Sequence, residues 1–136
     1  MGGDAAHAAY VAALSAADAT IRAYGSGIGG FNSHTRHRLR ARVKTLRYEC
    51  EAMAQLTAAC GVSGYDLKLT SLHQLLGDMH DAEVGAKLAA RLSKPAAVTA
   101  TEQKIAAERR RALKAAWIDF RAADSPWPRA AQPAAA

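Results

Sequence analysis

Apolar residues in this chain recur at alternating intervals of four and three, as in Tyr10, Leu14, Ala17, Ile21, Tyr24 and again in Leu39, Val43, Leu46, Cys50, Met53. That is the period of a helix buried along one side, and it conflicts with the strict alternation of a half-buried strand. Composition points the same way. Alanine makes up a quarter of the chain and Phe, Trp and Tyr only 6% of it, a mixture that suits closely approaching helices better than a sheet built of β-branched and aromatic residues. With 136 residues, half of them hydrophobic, the chain can fill one modest core, which excludes a multi-domain enzyme. The expected fold is all-α, an antiparallel four-helix bundle with short connections.

The first helix is expected at about Asp4 to Tyr24. Gly25-Ser26-Gly27-Ile28-Gly29-Gly30 then spells G-x-G-x-x-G, but no strand precedes it, so it reads as a flexible connector and not as a dinucleotide site. The second helix starts at Asn32 or Ser33, either of which can cap it, and runs to about Cys60, where Gly61 stops it. A third opens at Ser63, where Ser63-x-x-Asp66 resembles a capping box, with Leu69, Leu72, Leu76 and Met79 in one register. Its later apolar positions, Val84, Leu88 and Leu92, are out of phase with these, which predicts a kink or a fresh start between Gly77 and Asp81. Pro95 closes that segment. Thr99-x-x-Glu102 is a second capping box, opening a last helix to about Ala123 with Ile105, Ala112, Leu113, Ala116, Trp117 and Phe120 inward. Residues 1–123 thus form one helical domain. The tail 124–136, with Pro126, Pro128 and Pro133, is expected to be irregular or disordered, with Trp127 able to dock on the body.

The N-terminus lacks the basic and apolar regions of a signal peptide, and the alanine-rich stretch between Asp4 and Asp18 falls short of the ~20 residues of a membrane span. The start also lacks the Ser or Thr that N-myristoylation favours at its sixth position. Cys50 and Cys60, ten apart on one expected helix, cannot bridge within it. A cytoplasmic, reducing setting with no membrane contact is the expectation.

Charge is distributed less evenly than the totals of 18 Lys+Arg against 12 Asp+Glu imply. Between Asn32 and Tyr48 there is no acidic residue, yet Arg36, Arg38, Arg40, Arg42, Lys44 and Arg47 fall there with His34 and His37. At 100° per residue, His37, Arg40, Lys44, Arg47 and Glu51 lie within an arc of about 80°, opposite Leu39, Val43, Leu46, Cys50 and Met53. A merely solubilising helix interleaves Glu with Lys at i,i+4 to relieve repulsion; here only Arg47 and Glu51 do so. A continuous cationic rail suits an extended polyanion, because Arg clamps phosphate oxygens with two donors and Lys adds a mobile point charge.

The stretch from His37 to Glu51 contains H-x-x-R-x-x-x-K-x-L-R-Y-x-x-E as His37, Arg40, Lys44, Leu46, Arg47, Tyr48 and Glu51, and it closely resembles the signature helix of the CHAD family, the conserved-histidine α-helical domains. Leu72-His73-Gln74-Leu75-Leu76-Gly77-Asp78-Met79-His80-Asp81-Ala82-Glu83-Val84 is similar to the family's second segment, L-Q-x-x-L-G-x-x-x-D-A-x-V, with His73 where Gln is usual. The resemblance implies a helical domain that binds inorganic polyphosphate through a basic channel, often in proteins associated with polyphosphate granules. It implies His37, Arg40, Lys44 and Arg47 as binding residues, with Tyr48 and Glu51 orienting them. Family domains are usually about twice as long and built of two similar halves. This chain resembles the second half, so either it is a stand-alone half or it pairs with another copy, a homodimer with one rail on each wall completing the channel.

Lys104, Arg111 and Lys114 of the last helix are candidates for a second basic wall. His73 and His80 share a face, but the Glu-x-x-His pairs of a bundle metal site are absent, and no metal or other cofactor is expected. Glu49-x-Glu51-x-Met53 lacks the final Lys of the E-x-E-x-K motif of triphosphatase domains that often accompany this family. No Ser or Cys sits in a recognisable catalytic motif. The expectation is therefore a non-enzymatic polyphosphate-binding module. The alternatives are an RNA- or DNA-binding module using the same rail, disfavoured by the scarcity of stacking aromatics beside it, and a polyphosphate-processing enzyme using His37, disfavoured by the lack of a carboxylate cluster for a metal.

Overall fold

The computed structural model describes residues 2–56, 63–92 and 96–126. They form four α-helices, α1 (Gly2–Arg22), α2 (Ser33–Leu56), α3 (Ser63–Arg91) and α4 (Ala96–Ala122), and a short 3-10 turn at Ile28–Gly30. No strand occurs among the described residues. Successive helices pack side by side, α1 on α2, α2 on α3 and α3 on α4. Contacts from Arg36 to Glu83 and Arg47 to His73, and from Lys68 to Asp119 and Asp78 to Arg109, show α2 running antiparallel to α3 and α3 antiparallel to α4.

One core joins every element. Leu14 and Ile21 come from α1, Ile28 from the 3-10 turn, and Leu39, Val43, Leu46, Cys50 and Met53 from α2. Leu69, Leu72, Leu76 and Met79 of α3 meet Leu113, Trp117 and Phe120 of α4 in the same cluster. Each such aliphatic or aromatic side chain contributes roughly 1.5–3 kcal/mol by leaving water. The α2 stripe is buried throughout, as its spacing predicts. Asn32 caps this helix, its Oδ1 accepting from the Thr35 N–H at 2.8 Å.

Several expectations need correction. The glycine-rich connector is not a loose tether: Ile28 is fully buried, and the Trp117 indole N–H donates to the Gly25 carbonyl at 2.8 Å. Gly25 has φ +84°, a left-handed conformation that glycine adopts without steric cost. At Gly29 the Lys114 side chain lies where a Cβ would be. Of the two outcomes expected between Gly77 and Asp81, the fresh start is ruled out, since α3 is continuous. Val84, Leu88 and Leu92, read as its inward positions, are 51%, 53% and 59% exposed. Ala89 is buried in their place, with Ala82, Gly85 and Ala86 half-buried. The buried stripe drifts round α3 and changes from large to small residues as α4 comes close: a Cβ on Gly85 would stand 3.4 Å from Glu102 Oε2. Helix α4 starts at Ala96, so Thr99 lies within it and caps nothing. Ala112 and Tyr10 face solvent, and α1 ends at Arg22, short of Tyr24. The expectations for Cys60, Gly61, Pro95, Trp127 and the tail beyond Pro126 concern residues outside those described.

A polar clasp ties the ends of three helices. Asp18, 3% exposed, accepts from the Tyr65 hydroxyl at 2.8 Å, the Ser125 hydroxyl at 2.8 Å and Arg22 Nε at 2.9 Å. Arg22 also donates to the Arg121 carbonyl and lies 4.8 Å from the centre of the Phe120 ring. Burial and the Asp18 charge push the Tyr65 phenol well above its ordinary range, so it remains a donor.

Candidate functional site

With the apolar side of α2 turned into the core, the opposite side of the helix faces outward beside α3. From His37 to Arg47 this face extends about 15 Å at 1.5 Å per residue. Its cations are held in unequal ways. Arg36, at the start of the helix, pairs with Glu83 of α3 and donates to the Phe31 carbonyl. Its pKa is lowered by burial and by the charge of Arg110 on α4. Arg36 is thus spent on joining the 3-10 turn, α2 and α3.

Arg40 is held without being neutralised. Its guanidinium lies over Gly77, where a Cβ would stand 3.4 Å from Nη2 and 3.5 Å from Nε. Nε is buried with no hydrogen-bond partner. Lys44 is exposed, and among the described residues no carboxylate pairs with Arg40 or Lys44. The His37 ring lies 6.5 Å from that of His80 on α3. Both border a crevice of about 10 Å³ with Ser33, Arg36, Arg40, Leu76 and Glu83.

Arg47 is oriented from three sides. Its Nη1 donates to His73 Nδ1 at 2.9 Å, its Nε is 3.5 Å from Glu51 Oε1, and its Cζ is 5.7 Å from the centre of the Tyr48 ring. Because a guanidinium can only donate, Nδ1 of His73 carries the lone pair and the neutral ring keeps its proton on Nε2. Burial, then the charges of Arg47, Arg40 and Lys44, lower the pKa of His73, so the neutral form persists below the ordinary imidazole range.

The structure therefore brings His37, Arg40, Lys44 and Arg47 onto one side of α2 that borders α3, His37 and Lys44 exposed and Arg40 and Arg47 half-buried, with Tyr48 and Glu51 both against Arg47. It does not bring Lys104, Arg111 and Lys114 to that face. Lys104 and Arg111 are exposed on the side of α4 away from Leu113, Trp117 and Phe120, and Lys114 covers Gly29. The α4 cations that reach towards α2 and α3 are Arg110, felt by Arg36, and Arg109, 3.4 Å from Asp78. Sequence reasoning weighed His73 and His80 only as metal ligands and passed over their contact with α2. The signal was present: residues 73, 77 and 80 recur at helical spacing, so the two histidines flank the glycine that seats Arg40. Among the described residues, no three His, Cys, Asp or Glu side chains group closely enough to hold a metal ion.

No helix among the described residues is long and apolar enough to cross a membrane. No curated protein and no solved structure matches the chain. The family model of the CHAD domain matches residues 3–90, a span that contains α2 and all but an end residue of α1 and of α3, including every residue of the rail and its histidine partners. Helix α4 lies beyond that span yet supplies Leu113, Trp117 and Phe120 to the core. From the matched span and the signature residues gathered on one face, the chain belongs to the CHAD family.

Proposed function

We propose that this protein is a non-enzymatic binding module for inorganic polyphosphate. The observation that carries the reading is the un-neutralised middle of the rail: among the described residues no carboxylate pairs with Arg40 or Lys44, while Arg36 and Arg47 at the two ends are braced by Glu83 and Glu51. Keeping like charges together costs stability, and a polyanion lying along the helix removes that cost. Arg40 and Arg47 offer forked donors to phosphate oxygens, Lys44 offers a point charge, and His37 offers a ring nitrogen. No bond is broken, so the protein holds its ligand and does not process it.

A rail open on one side grips less well than a lined channel, so two copies related by a two-fold axis, with one rail on each wall, form the binding unit. Their like charges repel without ligand, and polyphosphate favours the paired state. The setting of such a module is the cytoplasm, at polyphosphate granules.

Titration with polyphosphate chains of defined length at low and physiological salt tests the reading. The expected result is binding that weakens steeply with salt, as counterion release requires; no binding at either salt overturns it. If short RNA displaces polyphosphate at equal phosphate concentration, the nucleic-acid reading takes its place. Phosphate release in the presence of divalent metal would overturn the non-enzymatic reading. Sedimentation velocity with and without polyphosphate tests the pairing, and a strict monomer that retains full affinity overturns it.

A further inference from the structure

His73 of α3 reaches the rail through a definite contact, its Nδ1 accepting from Arg47 Nη1 at 2.9 Å. Gln and neutral His can both accept from Arg47; only His can also become a cation. The charged groups facing its ring are Arg47, Arg40 and Lys44 of α2, with Glu51 bound to Arg47. On α3 itself the nearest titratable residues of the same stripe are Asp66, two turns before, and His80, two turns after. Helix α4 packs on the other side of α3 through Asp119 with Lys68 and Arg109 with Asp78, and α1 reaches α3 through Asp18 at Tyr65. In the free protein burial and the three cations Arg47, Arg40 and Lys44 oppose protonation of His73 and outweigh Glu51. A polyanion on the rail reverses that field, because it covers the same three cations and brings phosphate oxygens to a half-buried ring.

We infer that His73 is a proton-taking element of the polyanion site: neutral, it holds Arg47 in place, and with polyphosphate bound it takes up a proton and becomes a phosphate donor. The inference rests on the polyphosphate reading above. The step balances simply. The Nδ1 lone pair accepts a proton from solvent, the hydrogen bond from Arg47 Nη1 breaks, and both groups turn their N–H bonds towards phosphate oxygens. Binding and protonation then promote each other, since linkage is reciprocal.

The test uses the full chain with His73→Gln and His73→Ala, titrated with polyphosphate from pH 8 to pH 6, and calorimetry in buffers of different ionisation enthalpy to count protons taken up. The wild type is expected to tighten on acidification about threefold or more beyond His73→Gln, a gap that a pKa rise of about one unit on binding, ending in the ordinary imidazole range, produces. It is also expected to take up more protons at pH 7. His37 and His80 remain in both proteins, so their share cancels. At pH 8, His73→Gln keeps an acceptor for Arg47 and is expected to bind more tightly than His73→Ala, which has none. Polyphosphate binding with the same pH profile and proton count in wild type and His73→Gln overturns the inference and leaves the polyphosphate reading standing. Absence of binding in the wild type overturns both.

Discussion

At one end of the molecule Asp18 is sealed among Tyr65, Ser125 and Arg22, and along α2 no carboxylate among the described residues pairs with Arg40 or Lys44. Both regions place charge against apolar packing. In the clasp the carboxylate receives three donors, and its main cation finds a carbonyl and a ring face besides. Arg22 Nη2 in the clasp and Arg40 Nε and Arg47 Nε on the rail are all buried without a hydrogen-bond partner, but Arg22 and Arg47 each have a carboxylate, Asp18 and Glu51, and Arg40 has none among the described residues. A buried charge with all its partners tightens a fold, whereas one short of partners is costly until something supplies them. On the polyphosphate reading, the clasp serves stability and the rail awaits its ligand.

The largest expected effect separates these roles. Asp18→Ala leaves the Arg22 guanidinium and the Tyr65 hydroxyl without their acceptor and should cost about 3–5 kcal/mol of stability, read from the denaturation midpoint. Molecules still folded should bind polyphosphate as before. An equal loss of affinity per folded molecule would break the comparison.

On the rail, Arg40→Ala should weaken binding by about 1–3 kcal/mol, as loss of a charge-assisted contact does. The fold should survive, because Ala is the better helix former. Arg47→Ala should behave similarly. Arg38 lies off the stripe and is exposed, so Arg38→Ala should matter much less. Equal losses at Arg38 and Arg40 would mean that only net charge counts.

Gly77 joins stability and binding in one position. The methyl of Gly77→Ala would meet the Arg40 guanidinium at 3.4–3.7 Å, an ordinary contact, and should raise stability by about 0.5–1 kcal/mol. Gly77→Leu should instead push Arg40 away and reduce affinity with little loss of stability. If it leaves affinity intact, Arg40 is not seated where binding needs it.

Acid should bring a smaller change in the free protein. His73 has its pKa lowered from 6.5 in the folded chain, so the unfolded chain binds more protons there. Its contribution to stability is fully present above pH 6.5 and is lost as pH falls through the lowered folded value. Denaturation curves across that range should show this fall reduced in His73→Gln and reversed when polyphosphate is bound. The smallest effect belongs to the exposed stripe of α3: Leu88→Gln should change stability by less than about 0.5 kcal/mol, whereas Leu76→Ala, at a buried position, should cost about 2–5 kcal/mol.

What the sequence determined by itself is the helical class and the two sides of α2. Leu39, Val43, Leu46, Cys50 and Met53 keep one period without interruption, and an uninterrupted period in large apolar residues leaves a helix one way to bury itself. The cationic rail follows as another side of that pattern; that Asn32 and not Ser33 caps the helix is decided by the structure. Pattern reading failed where size mattered more than hydrophobicity. Along the second half of α3 it favoured Val84, Leu88 and Leu92, but α4 approaches too closely for large side chains, and Ala82, Gly85, Ala86 and Ala89 take the inner positions. Only the tertiary structure decided which polar groups meet. Asp18 is 47 residues from Tyr65 and 107 from Ser125, His73 is 26 from Arg47, and no local period encodes such distances. The same holds for Gly77, a helix weakener in sequence, whose missing side chain makes room for Arg40 only once α2 and α3 lie together.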